Sequence, residues 1–193
     1  RDVTPGAGKQ CVMAGDEKGP RFDQVEAITF SFDGSQMGYL AREGNRWFAM
    51  IGGRKGPAFE QVRYLTFSRD GRRHAYVAKR NKKEFVVADD QIGPEFDLVF
   101  FPHFRCDGKW EYQAERDGRR FELVEGQAPA ACPGYPCGTY FGADCTKSAE
   151  VKYRGGKKVI VFADKAGPEF ESLSFFRFSP DGSKVAYGVS MDH

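Results

Sequence analysis

The sequence predicts an all-β fold assembled from copies of one sheet, and three observations carry that prediction. Apolar and polar residues alternate with the two-residue period of strands, as in QMGYLAR and RWFAMI, and no stretch keeps helical spacing over three turns. Asp-Gly pairs begin at Asp33, Asp70, Asp107 and Asp181, in steps of 37, 37 and twice 37, with Asp144 at the missing midpoint. Gly-Pro keeps the same step at Gly19, Gly56, Gly93 and Gly167, and an aromatic stands three residues after each, at Phe22, Phe59, Phe96 and Phe170.

Each copy of 37 residues accommodates four short strands, A to D. In the first copy these are AITFS, QMGYLAR, RWFAMI and the segment after Gly-Pro. Asp-Gly supplies the positive φ of a tight hairpin between A and B, which makes it a turn device before any catalytic or calcium role. Gly-Pro reads as a second turn, its proline standing where an edge strand begins. The phenylalanines three residues before each aspartate, Phe30, Phe67, Phe104, Phe141 and Phe178, are expected to pack one sheet on the next. The third copy, WEYQAERDGRRFELVEG, stays in phase only if one residue is dropped after Asp107 and regained near Cys132; the fourth has AACPGYPC where its neighbours have GPEF.

Such a unit cannot bury both faces alone, so the copies must stack, and the two ends of the sequence decide how. The last copy stops after strand B, at VAYGVSMDH, while the opening GKQCVMAGDEKGPRFDQV matches GKKVIVFADKAGPEFESL four repeats later. Residues 9–193 make five copies of 37. The expectation is a five-bladed β-propeller with four-stranded blades, a single domain over residues 1–193, in which the N-terminal strands complete the last blade. With 40% apolar and 15% aromatic residues there is ample material for a core. The pattern FSxDGxxxAYxA, seen in FSRDGRRHAYVA and FSPDGSKVAYGV and followed by an FVVxD-like strand, resembles the WD-related repeat of TolB-like proteins. That resemblance spans the whole sequence, with the third and fourth copies the weaker matches. It implies a bacterial binding or scaffolding propeller of the cell envelope; TolB-like propellers usually have six or more blades.

Charge narrows the function classes. With 29 Lys and Arg against 27 Asp and Glu the net charge is +2, which demands neither nucleic acid nor an anionic membrane. No run reaches the roughly eighteen apolar residues of a membrane-spanning helix, and the opening RDVTPGAGKQ lacks a secretory apolar stretch, so a soluble, monomeric protein or the mature part of an exported one is expected. Five cysteines, Cys11, Cys106, Cys132, Cys137 and Cys145, favour an oxidising compartment, periplasmic or exported. Cys132 and Cys137 are placed for a short disulfide, Cys106 and Cys145 are further candidates, and Cys11, aligned with Val159 on a strand, is expected as a buried free thiol. No metal site or cofactor is expected, because His74, His103 and His193 are scattered.

The hairpin ends between strands B and C should emerge together on one face. They carry Arg42, Arg46, Arg80, Lys82, Lys83, Arg116, Arg119, Arg120, Lys152, Arg154, Lys157 and Lys158, with Lys9 at the split fifth end. The A-to-B and C-to-D turns are acidic. A basic face of this kind fits an anionic partner, whether an acidic protein, a glycan or a lipid headgroup; nucleic acid is disfavoured because these ends lack aromatics for base stacking. The alternative is a multivalent lectin using the repeated acids Asp23, Glu60, Asp97 and Glu171 as hydroxyl acceptors. A glycosidase would need carboxylates on the innermost strands, and AITFS, YLTFS, FPHFR, GTYFG and FFRFS contain none; GxSxG is also missing, so the reading is of a protein that is not an enzyme.

Overall fold

The computed structural model describes residues 8–132, 138–141, 145, 147–179 and 181–190; Cys137 and Asp144 lie outside the described residues. The described residues form strands and no helix. The protein divides into two compact units, Arg1–Asp117 and Gly118–His193.

The first unit opens with the antiparallel pair β1 (Met13–Ala14) and β2 (Glu17–Lys18). Two four-stranded antiparallel sheets come next, each in sequential order. One is β3 (Gln24–Phe30), β4 (Met37–Glu43), β5 (Arg46–Ile51) and β6 (Arg54–Lys55); the other is β7 (Gln61–Phe67), β8 (His74–Arg80), β9 (Lys83–Ala88) and β10 (Gln91–Ile92). The hairpin β11 (Leu98–Phe104) and β12 (Trp110–Arg116) ends this unit. The second unit holds the pair β13 (Arg119–Val124) and β14 (Ala130–Ala131). It continues with the sheet β15 (Gly138–Phe141), β16 (Ser148–Arg154), β17 (Lys157–Phe162) and β18 (Lys165–Ala166), then the pair β19 (Ser172–Phe178) and β20 (Val185–Ser190).

The turns explain why the strands stop where they do. Two-residue connections with both φ values positive join β8 to β9 through Asn81 and Lys82, β9 to β10 through Asp89 and Asp90, and β16 to β17 through Gly155 and Gly156, the backbone twist that suits a hairpin. The Asp-Gly segments are indeed turns, but wider than a two-residue hairpin. Ser31 N donates to Gln36 O at 2.9 Å and Gly34 N to Ser31 O at 2.9 Å, while Asp33 Oδ1 accepts from Ser31 Oγ at 2.6 Å and Ser35 N at 3.1 Å. Gly34 takes φ +71°, and the same bonds recur at Ser68, Asp70 and Gly71 and at Ser179, Asp181 and Gly182.

Gly-Pro proves to be no turn between strands but an interruption inside the outermost strand. Gly56 N donates to Ala49 O at 2.9 Å, Pro57 skips a bond, and Phe59 restores the ladder by exchanging bonds with Trp47. The aromatic three residues on is what holds neighbouring sheets together. Phe22 packs edge-on against Tyr39 with centroids 6.2 Å apart, Phe59 against Tyr76 at 6.4 Å, Phe96 against Tyr112 at 6.4 Å, and Phe170 lies against Tyr187 at 6.0 Å. These pairs span seventeen residues except Phe96 and Tyr112, which span sixteen; this is the residue the third copy drops. All four phenylalanines are buried. The phenylalanines expected to pack one sheet on the next do so in part: Phe67 abuts Gly38 of the preceding sheet, Phe104 lies under Arg73 and Phe178 packs on Phe162, all three half-buried, whereas Phe30 is 62% exposed and the Phe141 side chain lies outside the described residues. A bulge in each inner strand, at Ala27, Tyr64 and Phe101 with positive φ, adds one residue and shifts the register of the strand residues beyond it.

Cys11 is free but half-buried rather than buried. Cys106, Cys132 and Cys145 are disulfide-bonded. No helix among the described residues is long and apolar enough to cross a membrane.

Candidate functional site

Two regions of the first unit concentrate chemistry: the basic hairpin ends, and a recess between its two four-stranded sheets at the end where the Asp-Gly turns lie.

At the hairpin ends, acids that sequence reading offered to a sugar are instead turn caps. Asp23 accepts from Lys9 Nζ at 2.7 Å through one oxygen and from Gly44 N at 2.7 Å through the other. Asp97 repeats this with Lys83 Nζ at 2.6 Å and Asp117 N at 2.8 Å, and Glu60 takes Asn81 N at 3.0 Å. The Lys9 and Lys83 hydrogen bonds, then the turn amides, hold the Asp23 and Asp97 carboxyls below the usual carboxylate range. Asp97 in turn holds Lys83 above its ordinary value. Each of these two aspartates therefore ties the start of one strand to the next hairpin end.

The basic residues themselves are laid down in set directions. Arg42 lies over the Trp47 ring at 6.0 Å and donates to Gln24 Oε1 and Gly44 O; Arg80 lies over Phe85 at 5.2 Å and reaches Glu95 at 3.3 Å. Arg116 covers Phe96 at 4.4 Å and donates to Glu95 O. Arg46 and Lys82 are exposed beside them. In the second unit Arg119 and Arg154 are exposed, Arg120, Lys157 and Lys158 are half-buried, and Lys158 Nζ donates to Glu171 O at 2.5 Å. Lys152 meets Glu150 at 3.1 Å. Stacking on ring faces and these bonds fix each guanidinium, and each of the three keeps N–H groups beyond those already donated.

The recess was not legible as a site in the sequence. It comprises a pocket of about 200 Å³ opening into one of about 390 Å³, with Ile51, Arg54 and His74 shared between them. His74 is 9% exposed; its Nε2 lies 3.6 Å from Asp90 Oδ1 and has no hydrogen-bond partner among the described residues. The buried Tyr76 hydroxyl, beside it, has none either, and burial pushes its phenol above the usual range. Among the described residues there is no group of three His, Cys, Asp or Glu side chains able to hold a metal ion.

A third feature links sheets within this unit. Glu84, 4% exposed, takes both Arg63 Nη atoms at 2.7 and 2.6 Å and the Val99 amide at 2.8 Å, and Arg63 also donates to Val99 O at 3.0 Å. Burial raises the Glu84 carboxyl, but Arg63 and the Val99 amide outweigh it and leave it below its ordinary value.

Four-stranded antiparallel sheets that repeat along the sequence and pack face to face are the units from which β-propellers are built. Known structures give a nearer likeness: the protein folds as a TolB-like, WD-related propeller. TolB from Acinetobacter baumannii matches with a TM-score of 0.51 at 17% identity, over 84% of this chain and 48% of that one. The β-propeller domain of the Trilobed protease from Pyrococcus furiosus, described as having an open velcro topology, matches with a TM-score of 0.53 at 12% identity, over 78% of this chain and 58% of that one. This chain thus spans about half the length of the structures it matches. No family model and no curated protein sequence matches it.

Proposed function

We propose that this propeller is a non-catalytic interaction module whose basic hairpin ends dock an anionic partner, an acidic protein surface, glycan or lipid headgroup. The observation that carries the reading is the fixing of Arg42, Arg80 and Arg116 over ring faces, with exposed Arg46 and Lys82 beside them. Groups ordered before binding lose little conformational entropy on contact. The lectin reading loses support, since Asp23, Glu60 and Asp97 spend their oxygens on turn amides and lysines. Disulfide-bonded Cys106, Cys132 and Cys145 support a periplasmic or exported setting.

The test is retention on heparin, polyglutamate and phosphatidylglycerol vesicles at low and high salt. Wild-type retention should fall steeply as salt rises, and a variant with Arg42, Arg80, Lys82 and Arg116 changed to serine should bind at least about tenfold more weakly. Unchanged or salt-insensitive binding of that variant overturns the reading.

The propeller is also proposed to close as five blades in one domain. β19 and β20 occupy the A and B places of a blade, and the segment carrying β1 and β2 occupies the C and D places of the same repeat. The match at four repeat lengths between residues 8–25 and 156–173 supports their sharing one sheet.

A further inference from the structure

We infer that the smaller pocket, between β6 of one sheet and β8 of the next, is a binding site for a monocarboxylate with a short apolar body. This inference is independent of the docking reading, since it concerns different residues.

The donors are already in place and lack acceptors. Arg54, exposed on the two-residue strand β6, makes no side-chain ion pair or hydrogen bond among the described residues, while the adjacent Lys55 is spent on Glu43 at 2.5 Å. His74 and Tyr76 present Nε2 and a hydroxyl, both buried and both unpartnered among the described residues. Burying such groups unpaired is costly, and a bound partner removes that cost. Asp90 is the one acid lining this smaller pocket, its Oδ1 3.6 Å from His74 Nε2. An anion gains the Arg54 charge and these polar partners against the repulsion of Asp90, with Asp89 4.0 Å from His74 Nδ1 and Asp33 and Asp70 lining the larger pocket; a dianionic phosphate meets each repulsion twice.

Ala49, Ile51 and Pro57 make the remaining wall apolar. A space of about 200 Å³ compares with the ~150 Å³ cavity that accepts benzene, so the body should hold roughly four to seven carbons. The combination is particular to this junction. At the four comparable junctions the outer-strand and next-sheet positions are Glu17 with Met37, Arg54 with His74, Gln91 with Trp110, and Lys165 with Val185. Repeat packing alone therefore does not account for an arginine facing a buried histidine.

The carboxylate could come from a free organic acid or from the C-terminus of a peptide, and titration of the isotope-labelled full-length protein by amide NMR separates them. Butyrate and benzoate should give saturable shifts centred on residues 54–56, 74–76 and 90, which butyramide and inorganic phosphate do not reproduce. Arg54→Gln, at an exposed position, should weaken binding about tenfold or more, the loss of one charge-assisted hydrogen bond. Tyr76→Phe, which keeps the ring packing, should weaken it several-fold. A tetrapeptide binding at least tenfold tighter than butyrate, and losing this on C-terminal amidation, assigns the peptide terminus; otherwise butyrate binding assigns the small acid. Absence of saturable shifts with every carboxylate, an equal response to butyramide, tighter phosphate binding, or an unaltered Arg54→Gln affinity each overturns the inference.

Discussion

Glu84 shows how much one carboxylate can hold. Glu84→Gln should lower stability by about 3 kcal/mol in urea denaturation, because it strands the Arg63 guanidinium and weakens the bond to the Val99 amide in a buried setting. The turn acids act together through pH. Asp23, Asp33, Asp70 and Asp97 lie below the ordinary 3.8, and hydrogen bonds from Ser179, Ser183 and the Ser183 amide bring Asp181 to about 2. A carboxyl lowered on folding stabilises the fold above its unfolded pKa and releases that stability as pH falls through its folded one. The melting temperature should therefore drop between pH 4 and 2, followed by Trp47 and Trp110 fluorescence; an unchanged value over that window would remove the capping role. At this scale the sequence was least informative. Nothing in HAYVA distinguishes His74 from an ordinary strand residue, because its isolation arises from Arg54 and Asp90, twenty residues before it and sixteen after.

Strand positions and turns were legible because their causes are local: alternation, paired positive φ, and a proline that cannot donate. Face assignment was not. The repeat gives Phe30 and Phe67 one role, and the bulges at Ala27 and Tyr64 are alike, yet Phe67 rests against Gly38 of the preceding sheet while Phe30 is 62% exposed. The glycine of Gly-Pro has a packing reason that the motif alone does not disclose. A Cβ on Gly56 would stand 3.0 Å from Ala49 O and 3.5 Å from the Tyr76 hydroxyl of the next sheet. Gly56→Ala should cost about 1 kcal/mol, net of the entropy gained in the unfolded state, with the loss read from a shifted denaturant midpoint.

For the whole molecule, the 37-residue step carried the architecture, since four of the five copies repeat the Phe–Tyr joint that fastens one sheet to the next. Closure of the ring is open to a direct test. Ala149 stands opposite Phe162 in the complete sheet of the second unit, and the same places in the proposed shared blade are Ala186 and Ala14. A Cys11→Ser variant that also bears Ala14→Cys and Ala186→Cys should form an intramolecular crosslink on mild oxidation, seen as faster migration without reductant; failure to crosslink while folded would leave the ring open. The stunted outer strands bear on how such a molecule survives in company. β6, β10 and β18 offer two residues each before Gly-Pro breaks the row of donors. A stray extended segment, or the rim of a second copy, thus finds too short a template to grow on, and a protein made almost wholly of β-structure is protected from fibrous self-assembly.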